Sequence, residues 1–164
     1  MPSEPVPVIV VGVTGSSASA AALSWAADEA RRRHARLRVV RVWKQDCHAY
    51  YAAPVSLLDR QRREEAARRE LAATLHTVLG ADPPGSISAE VLEGDAERVL
   101  ADASAGADLL VLGSASVYLA GRPAGPVIRT CLSHAHCPVV VVGPEAMPAE
   151  PALAGQSMPV AATR

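Results

Sequence analysis

Two short apolar runs near the carboxyl end of the chain, with a loop of small residues between them, constrain its fold more than any other feature. The first run, residues 109–112, ends at Gly113, and the second, Val139–Val142, follows Pro138. Such uninterrupted apolarity is typical of strands that are buried on both faces of a parallel sheet. The pattern predicts a strand, a loop, a short helix and a second strand, and open α/β sheets bind ligands beside loops in this position.

The rest of the chain alternates between the same two kinds of segment. The predicted segments are strands at residues 6–13, 37–42, 87–92, 109–112 and 139–142. The predicted helices run from a cap at residue 17 or 19 to about residue 33, over residues 57–79, and from residue 95 to near residue 104. Ser17 or Ser19 is expected to cap the first helix and Asp95 the third. Strands that alternate with helices, joined by right-handed connections, predict an α/β fold with an open parallel sheet.

The composition is sufficient for one hydrophobic core. The chain has 164 residues and 49% of them are hydrophobic, although Phe is absent. This length suggests a single domain that needs no disulfides or metals. We expect residues 6–143 to form the domain, residues 1–5 an N-terminal extension, and the Pro- and Ala-rich residues 144–164 a disordered tail. The polar segment 43–56 is expected to be a mobile loop.

The charge balance argues against several kinds of partner. The formal net charge is −1, so no overall field favours nucleic acid or a membrane surface. The Arg residues of segment 57–79 alternate with Glu at helical spacing, which predicts a solvated face with i,i+4 pairs. No apolar run reaches the roughly 18 residues of a membrane helix, and the first residues lack signal-peptide features. We therefore expect a cytoplasmic protein.

The Cys and His residues predict neither a catalytic site nor a metal site. Cys47, Cys131 and Cys137 form no CxxC pair. His134, His136 and Cys137 lie close together, but no second cluster completes a four-coordinate zinc site. The alternative for the thiols is a hydrolase or redox enzyme that uses one of them.

Several segments, in the expected order, resemble universal stress proteins. They are VVGVTGS at 10–16 with AALSWA at 21–26, VLEGD at 91–95, LVLGS at 110–114 and CPVVVV at 137–142. The resemblance covers residues 6–143. It implies a Rossmann-like, five-stranded parallel sheet with strand order 3-2-1-4-5 and helices on both faces. It also implies a homodimer that pairs or packs the strands at residues 138–142, where four consecutive valines would leave an exposed edge.

The same resemblance implies a candidate nucleotide site. Family members that bind ATP carry an acidic residue after the first strand and a loop of the form Gly-x-x-Gly, nine residues, Gly and Ser or Thr. In this chain Gly113 and Gly125 match two of the glycines, whereas the second glycine falls on Ser116, with eight residues before Gly125. The Ser or Thr falls on Pro126 and the acidic residue on Thr14.

Eight residues form the candidate cofactor-binding set: Val13, Thr14, Val42, Gly113, Ser116, Arg122, Gly125 and Val127. Arg122 is interpreted either as a compensating charge for phosphate or as a solvated loop residue. Gly113, Ser114 and Ser116 are interpreted either as ligand residues or as a strand-to-loop turn that the fold alone requires. Pro126 suits the first turn of a helix but offers a phosphate neither an N–H nor a hydroxyl.

These departures predict a non-catalytic regulatory or binding module whose cofactor is absent or is weakly bound ATP, with Mg²⁺ present only with nucleotide. Up to two hydrogen bonds to phosphate are lost at Pro126, each worth about 1.5–3 kcal/mol. The alternative is an ATP-binding universal stress protein that uses the loop between Gly113 and Gly125 and hydrolyses ATP slowly.

Overall fold

The structure is a computed structural model that describes residues 5–44, 57–81, 83, 85–115 and 125–143. Strands and helices alternate along these residues. The elements are β1 (Val8–Val13), α1 (Ser17–Arg33), β2 (Arg36–Trp43), α2 (Leu57–Leu79), β3 (Ile87–Glu93), α3 (Ala96–Ala103), β4 (Leu109–Gly113), α4 (Pro126–His134) and β5 (Val139–Val142). The predicted tail, and the predicted loop apart from its first two residues, lie outside the described residues.

One parallel sheet contains these strands in the order β3-β2-β1-β4-β5. This arrangement confirms the predicted open α/β sheet, with β1 at its centre and β5 at one edge. Val11 of β1 lies opposite Val39 of β2 and Val111 of β4. Because all the strands are parallel, their carboxyl ends meet at one edge of the sheet, which is where ligands bind in folds of this kind.

Helices cover both faces of the sheet, and each face has its own core. α1 and α2 pack on the face that buries Val11 and Val39, whereas α3 and α4 pack on the face that buries Val10 and Val40. Neighbouring residues of a strand point to opposite faces, so a continuous apolar run fills both cores. α1 contributes mainly alanines to its core: Ala18, Ala22, Ala26, Ala27 and Ala30.

The predicted element bounds are close to the observed ones, but the predicted capping is wrong in detail. β1 starts at Val8, and β2, β3 and β4 each continue one residue beyond the predicted end. The N-cap of α1 is Ser16, whose hydroxyl accepts a hydrogen bond from the Ser19 N–H. Asp95 occupies the N-cap position of α3 but makes no side-chain capping bond, because its carboxylate pairs with Lys44.

Candidate functional site

A cavity of about 260 Å³ lies at the carboxyl edge of the sheet, on the face that α3 and α4 cover. Strand ends form its floor, and the first turns of α3 and α4 form part of its wall. The described lining residues are Gly12, Val13, Thr14, Ser19, Val40, Val42, Ala96, Leu100, Leu112, Gly113, Ser114, Ala115, Gly125, Pro126, Val127 and Ile128. The cavity is thus a concave, mainly apolar site of the kind that takes a small molecule.

Six of the eight sequence-predicted site residues line this cavity together. They are Val13, Thr14, Val42, Gly113, Gly125 and Val127. The other two, Ser116 and Arg122, lie outside the described residues. The residues come from the ends of β1, β2 and β4 and the start of α4, so the sheet topology brings together positions that are far apart in the sequence.

The sequence did not reveal that α3 contributes to the site. Ala96 lies in its first turn, and Leu100 follows one turn later on the same face. Both residues carry only the periodic apolar signal of a core helix, which gives no sign of a ligand site. Ala115 was also missed, although it lies two residues after Gly113.

Gly113 is explained by packing against α1. A Cβ at this position would lie 2.2 Å from the Ala18 carbonyl oxygen and 2.7 Å from the Ser19 nitrogen. These are backbone atoms of the first turn of α1, so they have no free rotamer by which to move aside. The fold therefore requires a glycine here, whether or not a ligand binds.

Gly125 differs from Gly113 in this respect. It is the N-cap of α4 with a φ of −55°, a value open to any residue. No described heavy atom lies within 4 Å of an ideal Cβ at this position. Neither backbone angle nor packing among the described residues requires a glycine, and Gly125 leaves open space at the wall of the cavity.

Hydroxyl groups at the end of β1 bond mainly to one another and to the start of α1. The Thr14 hydroxyl donates to Ser16 Oγ at 3.0 Å, and the Thr14 N–H donates to Ser19 Oγ at 3.2 Å. Ser19 is buried, and its own hydroxyl donates to the Ser16 carbonyl at 2.9 Å. The cluster stabilises the first turn of α1, and its donors are already used within the protein.

The start of α4 offers a weakened site for an anion. Pro126 occupies the first turn, and Gly125 makes no side-chain capping bond. Free N–H groups in the first turn of a helix normally bind anions, helped by the helix dipole. Proline removes one of these groups, and a glycine N-cap adds no hydroxyl. The first turn of α4 contains no acidic residue.

The start of α3 already has negative charges beside it. Glu97 lies in the first turn and Asp95 precedes it. A hydrogen bond from Lys44 lowers the pKa of Asp95, so this carboxyl stays ionised at neutral pH. These carboxylates complement the positive end of the helix dipole and would repel a phosphate.

Val42 contributes a main-chain acceptor. Alternate residues of a parallel strand bond to opposite neighbours, and Trp43 bonds to the β3 side, where its carbonyl accepts from the Gly94 N–H at 2.9 Å. The peptide groups of Val42 therefore face β1. The pairing of β1 with β2 ends at Val13 and Arg41, so the Val42 carbonyl lies beyond the last paired residue of β1, at the cavity.

The described thiols and imidazoles are not among the described lining residues of the cavity. Cys131 is fully buried, and this burial together with Glu97 raises the pKa of its thiol to about 11. Burial also raises the pKa of Cys137. His134 and His136 lie beside different backbone carbonyls, those of Thr130 and Ala101. Among the described residues, no group of three or more His, Cys, Asp or Glu side chains is placed to hold a metal ion, and Cys47 lies outside them.

The sheet order and this cavity define a small doubly wound α/β domain with a ligand-sized site at the point where the strand order reverses. The chain matches the family model described as "Universal stress protein family" over residues 6–143. It is 35% identical to a universal stress protein of Mycobacterium tuberculosis, over 87% of this chain and 50% of that protein. This chain belongs to the universal stress protein family.

Solved structures agree with the fold. A universal stress protein from Lactobacillus plantarum superposes with a TM-score of 0.63 at 23% identity, covering 85% of this chain and 99% of that chain. A universal stress protein from Archaeoglobus fulgidus, solved in complex with dAMP, gives a TM-score of 0.57 at 19% identity, over 84% of this chain and 98% of that chain.

The present chain spans about half the length of the M. tuberculosis relative. Within the described residues, no helix has the length and apolarity needed to cross a membrane.

Proposed function

We propose that this chain is a non-catalytic regulatory or binding module of the universal stress protein family, with weak or absent binding of ATP. The observation that carries the proposal is the start of α4, where Gly125 and Pro126 stand at the cavity wall. A triphosphate needs several hydrogen-bond donors or cations. Here Pro126 offers neither a backbone N–H nor a hydroxyl, and no charged side chain is among the described lining residues.

The missing donors at Pro126 support the proposal of weak binding. A hydrogen bond to a charged group contributes about 1.5–3 kcal/mol, and each 1.4 kcal/mol corresponds to a tenfold change in binding. Two absent donors therefore weaken binding by roughly two orders of magnitude or more. Thr14 adds no carboxylate, and its hydroxyl already bonds to Ser16.

Calorimetric titration of the whole chain with ATP and Mg²⁺ tests this proposal. We expect the native protein to bind more weakly than about 100 μM, and the double variant Ser116→Gly with Pro126→Ser to bind more tightly, since Pro126→Ser restores an amide and a hydroxyl at the helix start. Asp59→Ala, an exposed change on α2, serves as the control. A dissociation constant of about 1 μM or better for the native protein would contradict the proposal.

The second candidate is an ATP-binding member of the family with slow hydrolysis. It is favoured by the Val42 carbonyl, an acceptor suited to the amino group of adenine, and by the dAMP complex of the A. fulgidus protein. Freshly purified protein, denatured by heat, separates the two candidates. Adenine nucleotide released in amounts close to one per chain would support the second candidate, and its absence supports the first.

We also propose a cytoplasmic homodimer that pairs or packs residues 138–142. β5 is an edge strand of the described sheet, and its valines are only partly buried within one chain. An apolar edge strand pairs readily with a second chain. Light scattering at a chain concentration of about 50 μM should give the mass of a dimer, because an interface of standard size holds two chains together at that concentration.

Substitution of this edge tests the dimer directly. Val140→Lys with Val142→Lys should give a monomer, whereas Val6→Lys, at a side chain that is 55% exposed away from β5, should remain dimeric. Circular dichroism shows whether each variant is folded. A monomeric native protein, or a folded double variant that stays dimeric, would contradict this interface.

A further inference from the structure

A groove of about 640 Å³ lies at the amino edge of the sheet, at the opposite end of the strands from the cavity described above. The starts of β1, β2 and β3 form its floor, and the loop between α3 and β4, residues 105–107, forms one wall. The groove is on the same face of the sheet as α3 and α4. Its volume is within the range of roughly 300–1,000 Å³ that is typical of small-molecule sites.

An ion pair occupies the inner end of this groove. Arg38 donates from Nε and Nη2 to the two carboxylate oxygens of Glu90, at 2.9 and 2.8 Å, and from Nη1 to the Ala103 carbonyl at 3.2 Å. Because Arg38 lowers the pKa of Glu90, this carboxyl stays ionised at neutral pH. The two charges therefore neutralise each other, and the pair leaves little hydrogen-bonding capacity for a ligand.

The outer part of the groove has donors that the protein does not use. Arg36 lines it, is exposed, and has no ion-pair partner among the described residues. Ser86 is its neighbour on the next strand, since the Leu37 N–H donates to the Ser86 carbonyl at 2.9 Å. Ser88 lies two residues further along the same face, and neither serine hydroxyl has a hydrogen bond within the described part of the chain. A guanidinium fork with two free hydroxyls beside it suits the two oxygens of a carboxylate.

The side of the groove that lies away from β3 is apolar. Val8 is opposite Arg36 in the pairing of β1 with β2, and Ala107 belongs to the loop that forms the wall. Both residues pack against the core of this face, yet both are only partly buried. An apolar ligand body that covered them would remove this surface from water, which favours binding.

The charge of the groove limits the ligand to one negative charge. Arg36 is the cation that remains after Arg38 pairs with Glu90. Asp108, which directly follows the wall, adds a carboxylate at this edge, and its Oδ2 accepts a hydrogen bond from the Val8 N–H at 2.7 Å. A group with two negative charges is therefore disfavoured relative to a group with one.

We propose that this groove binds a small organic acid that has one carboxylate on an apolar body, such as an aromatic monocarboxylate. The carboxylate accepts hydrogen bonds from Arg36, Ser86 and Ser88, and the apolar body lies against Val8 and Ala107. The site is at the other edge of the sheet from the candidate nucleotide site, so it is independent of the function proposed above.

NMR titration of the isotope-labelled whole chain, at slightly alkaline pH and constant ionic strength, tests the proposal. The probes are benzoate, benzamide, acetate and inorganic phosphate, which is mainly a dianion under these conditions. We expect benzoate to bind saturably, with a dissociation constant of about 1 mM, and to shift the amide signals of residues 86–88 and 105–107. Benzamide lacks the charge, acetate lacks the ring and phosphate carries a second charge, so each should bind at least about tenfold more weakly.

Substitutions on the floor of the groove locate the ligand. Arg36→Gln should weaken benzoate binding at least about tenfold, because it removes hydrogen bonds to a charged group, and Ser88→Ala should weaken it about threefold. Arg36→Lys keeps the charge but not the fork, and it should also weaken binding. Arg69→Gln, at an exposed arginine of α2, is the matched control and should leave binding unchanged. Circular dichroism shows whether each variant is folded.

Several results would overturn the proposal. They are benzoate binding no tighter than that of benzamide, tighter binding of phosphate than of benzoate, and amide shifts confined to the carboxyl edge of the sheet. Unchanged benzoate binding in folded Arg36→Gln would also overturn it, and Arg36→Lys with Ser88→Ala gives the same test if Arg36→Gln does not fold. None of these results affects the proposal of weak or absent ATP binding, which the titration with ATP and Mg²⁺ tests separately.

Discussion

Replacement of Gly113 by alanine separates the structural role of this glycine from a role in ligand binding. The added Cβ would lie 2.2 Å from the Ala18 carbonyl oxygen and 2.4 Å from the Ala18 carbonyl carbon. Because both are backbone atoms, β4 and α1 have to move apart. Overpacking of a core costs about 1–3 kcal/mol, and more in severe cases. We therefore expect a loss of about 3 kcal/mol in the free energy of unfolding.

Urea unfolding followed by circular dichroism measures this loss. With a slope of about 2 kcal/mol per molar urea, 3 kcal/mol lowers the midpoint by about 1.5 M. For a chain of this length, the melting temperature should fall by about 6–12 °C. Gly125→Ala is the matched control. Its added Cβ meets no described atom within 4 Å, so the loss should stay within about 1 kcal/mol, the size expected when alanine replaces glycine at an N-cap.

Equal midpoints for Gly113→Ala and the native protein would refute this reasoning. They would mean that the first turn of α1 can move away from β4 without a loss of free energy of unfolding, and that the close approach of β4 to Ala18 is not a packing constraint. Equal losses in both variants would also contradict it, since only Gly113 lies against backbone atoms.

Three further predictions concern helix capping and ionisation. Ser16→Ala removes the hydroxyl that caps α1 and should cost about 1 kcal/mol in urea unfolding, whereas Asp95→Ala should cost less, because Asp95 makes no capping bond; equal losses would contradict this ranking. Glu90→Gln removes the negative charge and one of the two carboxylate oxygens that accept hydrogen bonds from Arg38, and it should cost less than about 1 kcal/mol, since the pair is partly exposed. Arg38 lowers the pKa of Glu90. The stability that the pair contributes is therefore present above the unfolded pKa of 4.5 and is lost as the pH falls through the lower folded value. The difference in melting temperature between pH 7 and pH 3 should be larger for the native protein than for the variant. Burial raises the pKa of Cys131 from 9.0 to about 11, so the folded thiol stays protonated while the unfolded thiol ionises, and stability should fall by up to about 2–3 kcal/mol between pH 9 and pH 11. Urea unfolding across that range should show a smaller fall in Cys131→Ala, and identical falls would contradict the assignment to this thiol.

Local patterns in the sequence were enough to predict the elements, whereas the strand order came from the family resemblance. The uninterrupted valine-rich runs of β1 and β5 indicated strands covered on both faces. Bounds differed by one or two residues because strand pairing, rather than composition, decides where a strand stops. Six of the predicted site residues meet at one cavity, since residues at the carboxyl ends of neighbouring parallel strands must lie close together.

The parts that sequence reasoning missed depend on contacts between distant residues. Ser16 was not predicted to cap α1, because three serines in four positions are equivalent until the backbone places one hydroxyl beside the Ser19 N–H. The packing role of Gly113 depends on Ala18, which lies far away in the chain. The wall provided by Ala96 and Leu100 carries no motif, because an apolar helix face appears the same whether it meets a core or a cavity.

The contact between Gly113 and Ala18 ties two sides of the cavity into one unit. β4 meets α1 backbone to backbone, and the same turn of α1 is bonded to the end of β1 through Thr14 and Ser19. The opposite wall is formed by α3 and α4, which are joined by a hydrogen bond from the Thr130 hydroxyl to Glu97 at 3.1 Å. We therefore expect substitutions that alter ligand preference but preserve the fold to occur in α3 and α4. The residues around Gly113 and Ala18 are expected to stay small.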